Sequence, residues 1–175
     1  MVETNCGGGK TVRPYRRGIA TQHAGINFRS RHEATWAATF DLLGLKWSYE
    51  PADLDGYIPD FDLLFGKRPL LVEIKPSGED FEFAKSKIEC SGWDGDAAIL
   101  VTGDQKIVGV MTDGHGWDDC VVAACMACGR TTMIQECGDW SCRNCGASSR
   151  SLWFAYDIRK EWCEAQNRTQ WKAAQ

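Results

Sequence analysis

Two stretches of this 175-residue chain hold residues whose types and spacing could do chemistry. The first is "IPDFDLLFGKRPLLVEIKP", residues 58–76, where Asp60, Asp62, Glu73 and Lys75 sit among apolar neighbours. A hairpin turning at Gly66-Lys67 would set Asp60 opposite Glu73 on adjacent antiparallel strands. Directly opposed Cβ atoms lie about 4.5–5.5 Å apart, so two carboxylates there repel unless a cation or a proton intervenes. A divalent cation is the natural remedy. Hard oxygen ligands select Mg²⁺ or Mn²⁺, and such an ion keeps waters, one of which it can activate while it neutralises a phosphate. Lys75 follows Glu73 by two residues on the same face, placed to hold the attacking water or to offset charge on a phosphoryl group. Phe61, Leu63, Phe65, Leu70, Val72 and Ile74 fall on the other face, so the hairpin reads as one core face and one charged face. An exposed amphipathic hairpin made soluble by these charges has the same pattern.

The second stretch is "CMACGRTTMIQECGDWSCRNCG", with Cys125-x₂-Cys128, thirteen residues, then Cys142-x₂-Cys145. Each pair closes a tight knuckle followed by a glycine, and four thiolates at this spacing predict a structural Zn²⁺ site of the zinc-ribbon kind. Four protein ligands leave no open position, so this ion would fold the module and not catalyse. Cys137 is a spare thiol or a competing ligand, and Cys120 falls outside the knuckles.

The chain has nine cysteines, and five of them crowd into residues 125–145, which in a reducing compartment favours metal thiolates over disulfides. The N-terminus carries Glu3 and has no apolar run after its charges, so the expectation is a cytoplasmic protein without a secretory leader. No apolar stretch approaches the roughly 18–20 residues that span a bilayer, so the expectation is no membrane insertion and no membrane partner. The net charge of −4 argues against a general polyanion binder. Charge is nonetheless clustered: Arg13, Arg16, Arg17, Arg29 and Arg31 form one basic group, and Arg143, Arg150, Arg159, Lys160, Arg168 and Lys172 another. Arg130, Arg143, Trp140 and the basic C-terminal helix lean toward nucleic acid, through phosphate contacts and base stacking. Lys85 and Lys87 are candidates for phosphate contact or plain surface lysines. "GGGKT" lacks the earlier glycine of a phosphate loop, since position 4 is Thr, and His23, His32 and His115 follow no ligand or triad spacing.

The elements that must position these groups are readable around them. "GINFRSRHEATWAATFDLLGLKWSYEP" predicts a strand at 25–28 and a helix over 31–43, capped by Ser30 and closed by Gly44, then a strand at 46–49. Strands follow at 58–65 and 69–75, a helix capped by Ser77 at 79–90, a buried strand at "AAILVTG", and another strand at 107–111. The tail predicts a helix near 157–172 in which Ile158, Trp162 and Ala165 pack back onto the molecule. The predicted organisation is α/β: a flexible basic arm (1–24), a core (25–116) of helix, three strands, helix and strand, a small four-cysteine zinc ribbon (117–148), and a C-terminal helix (149–175) on the core or the ribbon.

On Pro59-Asp60 and Glu73-Ile74-Lys75 the sequence resembles the PD-(D/E)XK nuclease superfamily, over about residues 25–102. "FRSRHEATWAATFDLLGLKWSYEP" followed by "YIPDF" is similar to the phage-type and transposase-associated members, in which an acidic residue of the first helix joins the metal site. Glu33 would fill that role. The resemblance implies a restriction-endonuclease-like core, a mixed sheet flanked by helices, and metal-dependent hydrolysis of phosphodiester bonds. It assigns Asp60, Glu73 and the Ile74 carbonyl to the Mg²⁺ or Mn²⁺ and Lys75 to the water or phosphate, with DNA ahead of RNA as partner. Asp62 is extra to the motif. Ser30 and Glu33 also spell a capping box, in which Glu33 bonds back to the Ser30 amide, so Glu33 has two readings. A non-catalytic DNA-binding or inhibitory protein on the same scaffold is the alternative. Chains this small often dimerise to cut both strands, although the sequence marks no interface.

Overall fold

The computed structural model describes residues 18–114, 116–138, 140–153 and 157–170. Arg13, Arg16, Arg17, the "GGGKT" string, His115 and Lys172 lie outside the described residues.

A first hairpin pairs β1 (Thr21–His23) with β2 (Ile26–Phe28), so the part of the basic arm nearest the core is a strand. Ser30, extended at φ −138°, then caps α1 (Arg31–Leu42) by accepting from the Glu33 amide. Gly44 at φ +67° turns the chain out of this helix in the left-handed conformation that glycine adopts without strain.

Eight strands form one mixed sheet in the order β10-β8-β7-β6-β5-β4-β3, with β9 pairing β8. They are β3 (Trp47–Tyr49), β4 (Phe61–Leu63), β5 (Leu70–Ile74), β6 (Ala97–Leu100), β7 (Ile107–Thr112), β8 (Trp117–Cys125), β9 (Thr131–Gln135) and β10 (Leu152–Trp153). The β5–β6 pair is parallel, as the intervening helix α2 (Phe81–Cys90) requires of its crossover, and the other pairs are antiparallel. All four residues of β6 are buried, which explains its unbroken apolar run.

Helices cover both faces. Trp36, Ala37 and Phe40 of α1 are fully buried against Phe61, Val72 and Leu100, and α3 (Arg159–Arg168) closes over the outside of α1. Trp162 of α3 stacks toward Trp36 at 4.9 Å between ring centroids, and Thr169 shares a buried 2.9 Å hydroxyl bond with Thr35. Packing on both sides leaves every residue from Glu33 to Phe40 of α1 buried, polar ones included, and each buried aromatic contributes about 1.5–3 kcal/mol. On the opposite face Ala84 and Ile88 of α2 cover Leu71, Ala97 and Ile99. Ser77 makes no side-chain cap bond; a short 3₁₀ turn, Gly78–Asp80, leads into α2 instead. No helix among the described residues is long and apolar enough to cross a membrane.

Strand β8 pairs β7 over its first half and β9 over its second, so the cysteine knuckles grow from the same sheet as the core strands. A third cluster, built on Val121, Ala123, Ile134 and Leu152, packs against these cysteines.

Candidate metal centres

The hairpin keeps the register its sequence predicts. Phe61 pairs with Val72, Asp62 with Leu71 and Leu63 with Leu70, which sets Asp60 one step beyond the last pair, toward Glu73. Phe61, Leu63, Leu70, Val72 and Ile74 face the α1 side as predicted. The opposite face is not simply charged, because Leu71 lies there under α2. Six residues, 64–69, connect the two strands in place of a two-residue turn.

Asp60 and Glu73 are almost entirely buried, at 5% and 6% exposure. Burial, with Glu73 as the nearest like charge, pushes the Asp60 carboxyl up to about 7 despite the 2.7 Å bond it accepts from the Ile74 amide. Arg29 donates to its other oxygen at 2.8 Å. Glu73 accepts from Tyr57 Oη at 2.8 Å and from Lys75 Nζ. Predicted site residues Asp60, Glu73 and Lys75 therefore meet. The Ile74 side chain faces the core, and its described contact with the site is through its N–H.

Glu33 lies in the same electrostatic neighbourhood, since its charge helps to raise Asp60. Its oxygens accept from Ser30 Oγ and Tyr49 Oη, each at 2.7 Å, so the capping-box residue bonds the Ser30 hydroxyl and not the Ser30 amide. Among the described residues the cysteine quartet is the one group of three or more ligand atoms close enough to share an ion. Glu33 does not close a three-carboxylate cage with Asp60 and Glu73. Asp62 stands apart with a buried Oδ1 lacking a hydrogen-bond partner, and its carboxyl is raised by burial.

Mg²⁺ is held by one or two carboxylates and several waters, and the Asp60–Glu73 pair supplies that number of hard ligands with a repulsion for a cation to relieve. Tyr57, Tyr49 and Arg29 have no site role in the sequence reading, yet they orient every carboxylate of the cluster. Tyr57 has a signal: "DLDGY" spells a turn, and it forms with Gly56 at φ +86° and its amide bonded to Asp53 at 2.7 Å, which brings Tyr57 back over Glu73.

The cysteine quartet has a tighter geometry. Cys125 to Cys145 and Cys128 to Cys142 are both 3.8 Å between sulfurs, and all four Sγ atoms lie within 4.8 Å of one another. A tetrahedral ion with Zn–S bonds of about 2.3 Å needs sulfurs about 3.8 Å apart, so the quartet could hold a structural metal such as zinc. The two knuckles repeat one backbone pattern: Gly129 N–H donates to Cys125 O and Gly146 N–H to Cys142 O, each at 2.7 Å. Burial opposes ionisation of Cys142, but amide donation from Cys145 and Asn144 outweighs it and holds the thiol at about 7. Cys137 is exposed and bonded to Asp118, and Cys120 is buried in the main core with its thiol pushed up to about 12 by that burial. Neither belongs to the quartet.

No family model, no curated protein and no solved structure matches this chain. Its chemistry has to be read from its own residues.

Arg143 departs from its expected role. It is 1% exposed, donating to Met133 O at 2.9 Å and to Asp96 at 2.5 Å, so it cannot reach a phosphate. Its carbonyl accepts from the amides of Lys67 and Arg68, and Arg68 donates to Ser141 Oγ at 2.7 Å. The connection between β4 and β5 thus rests on the second cysteine knuckle. Gly66 permits this approach, as a Cβ there would stand 2.8 Å from Asn144 O. In the tail, Arg159 and Arg168 are paired with Asp157 and Glu164. His32 is half-buried and donates to Val101 O, and its removal from water lowers its pKa.

Proposed function

We propose that this protein is a metal-dependent nuclease that hydrolyses phosphodiester bonds, and that the cysteine module helps to hold the nucleic acid. The observation that carries this is the burial of Asp60 and Glu73 side by side, with Lys75 bonded to Glu73. Two adjacent buried carboxylates cost stability, and a fold with no use for a cation there gains nothing by keeping them. The order α1, β3–β5, α2, β6, with β5 and β6 parallel, supports a restriction-endonuclease-like core and with it the resemblance to PD-(D/E)XK nucleases. DNA is preferred over RNA on that resemblance alone.

In this reading Asp60 and Glu73 would hold Mg²⁺ or Mn²⁺, which would polarise a water for attack and offset the phosphate's charge. The Ile74 amide and Tyr57 hydroxyl fix the two carboxylates, so little reorganisation accompanies ion binding. Lys75 Nζ orients the water or stabilises charge on the phosphoryl oxygens. The water oxygen bonds to phosphorus, the bond to the leaving strand breaks, and the water's proton ends on the leaving oxygen.

The ion pairs Arg29–Asp60 and Lys75–Glu73 favour a second reading, because they offset both carboxylates without a metal. A non-catalytic DNA-binding or inhibitory scaffold would need nothing more. Calorimetric titration with Mn²⁺ separates the two: the nuclease predicts a hard-cation site lost in Glu73→Ala, and the scaffold predicts no binding there.

A further inference from the structure

Beside Glu73 a cleft of about 460 Å³ opens between the loop around residues 54–58 and the C-terminal end of α2. Arg29, Leu54, Tyr57, Ile58 and Lys87 line it with Glu73. We propose that this cleft receives one unpaired nucleotide of a polynucleotide strand, so that the substrate class is a single strand or a splayed end and not an intact duplex. The inference deepens the nuclease reading, on which it rests for the role of Glu73.

Three observations carry it. The carboxylates are recessed: Glu73 lies under the Tyr57 hydroxyl and Asp60 under Arg29, and neither is more than 6% exposed. A duplex keeps its bases stacked and paired inside the helix, so it cannot place a base in a cleft of this volume without a cost of a few kcal/mol for unstacking, which an unpaired nucleotide does not bear. A single nucleotide is of the size that pockets of about 300–1,000 Å³ enclose.

The lining, next, has the two components of single-strand recognition, an apolar wall for a base and cations for the backbone. Leu54 and Tyr57, held from behind by the core cluster under α2, form the wall with Ile58, which is 43% exposed.

The third observation is on α2. Lys85 is bonded to Glu82, whereas Lys87 has no carboxylate partner among the described residues and lies 4.7 Å over the ring of Phe83. Phe83 is 63% exposed, an unusual position for a phenylalanine one helical turn from a cleft-lining lysine. A strand leaving the cleft past Lys87 would meet that ring as a stacking platform. Asp55 also lines the cleft, so its rim is not strongly basic until a divalent ion joins it. Strand binding should therefore need the ion.

The test is fluorescence anisotropy with a labelled eight-nucleotide single strand and a blunt hairpin of related sequence. Both are measured in Ca²⁺, a hard ion that takes carboxylate and phosphate oxygens. The wild-type protein should bind the single strand at least tenfold more tightly than the hairpin. Lys87→Glu and Phe83→Ala, both on the exposed side of α2, should each lose much of that affinity with melting temperature and zinc content unchanged. Equal or tighter binding of the hairpin, full affinity in both variants, or no binding of either oligonucleotide would overturn the inference. Cleavage of the same molecules in Mg²⁺ separates it from the nuclease reading. Cutting of blunt duplex as fast as single strand overturns the inference and leaves the nuclease, while selective strand binding without cutting overturns the nuclease and leaves the cleft.

Discussion

The cysteine quartet and the Asp60–Glu73 pair both gather anionic ligands, yet they do so in opposite ways. The quartet brings four soft donors to tetrahedral spacing on two knuckles with matching backbone bonds, which leaves an ion no free position. The carboxylate pair offers two hard donors, each already engaged by a cation of the protein, Arg29 or Lys75, beside an open cleft. The first arrangement suits a permanent ion that folds a module. The second suits an ion that comes with waters and substrate. The two centres are also joined, because Arg143, between two of the cysteines, carries the β4–β5 connection on its carbonyl and grips Asp96 with its guanidinium.

The most drastic way to break the comparison is to remove a thiolate. Cys142→Ser should abolish bound zinc and the folding of the ribbon, and because β8 belongs to both regions it should broaden or erase the whole melting transition. Zinc content and circular dichroism would check this. Glu73→Ala, by contrast, should leave bound zinc at the wild-type level and lower metal-dependent cleavage by about 10²–10⁴-fold, as should Lys75→Ala. Arg143→Ala tests the side-chain half of that joint, since it keeps the carbonyl and removes the grip on Asp96: losing one partner of a buried pair costs about 3–5 kcal/mol, read by urea denaturation.

A pH series sharpens the contrast. The Asp60 carboxyl in the folded protein sits at about 7, well above its ordinary range. Its contribution therefore favours folding below about pH 4, and without a divalent ion that contribution fades as pH rises toward 7. Since the ion needs the carboxylate, Mn²⁺ affinity should rise about tenfold per pH unit below 7 and level off above it. The smallest effect belongs to Tyr57→Phe, which removes one bond to Glu73 and should weaken the divalent ion by about tenfold while leaving zinc untouched.

Much of this was legible in the sequence, for reasons that differ by region. Ser30, the alanine-rich α1 and Gly44 are local signals with local causes, and the hairpin register followed from strand alternation and the position of its connection. The quartet was legible because knuckle spacing is itself the geometry. Arg143 was misleading because sequence shows a charge and not its burial; only the packing of the second knuckle on β9 and Asp96 encloses it. The second face of the hairpin is only partly charged for a similar reason, as Leu71 on that face is buried by α2, a packing that alternation along the strand does not show. Tyr49 and Arg29 had no signal at all, since their reach to Glu33 and Asp60 depends on β3 and α1 meeting across the first hairpin.

The central claim, that the Asp60–Glu73 pair is a catalytic metal centre, is tested most directly by incubating labelled single-stranded, splayed and blunt duplex DNA with the protein in Mg²⁺, Mn²⁺ or chelator, beside Asp60→Ala purified identically. The account predicts cutting that needs the divalent ion and disappears in Asp60→Ala while that variant keeps its zinc and its melting temperature. Cutting that survives in Asp60→Ala, or no cutting of any substrate by a zinc-loaded wild-type protein, would contradict it.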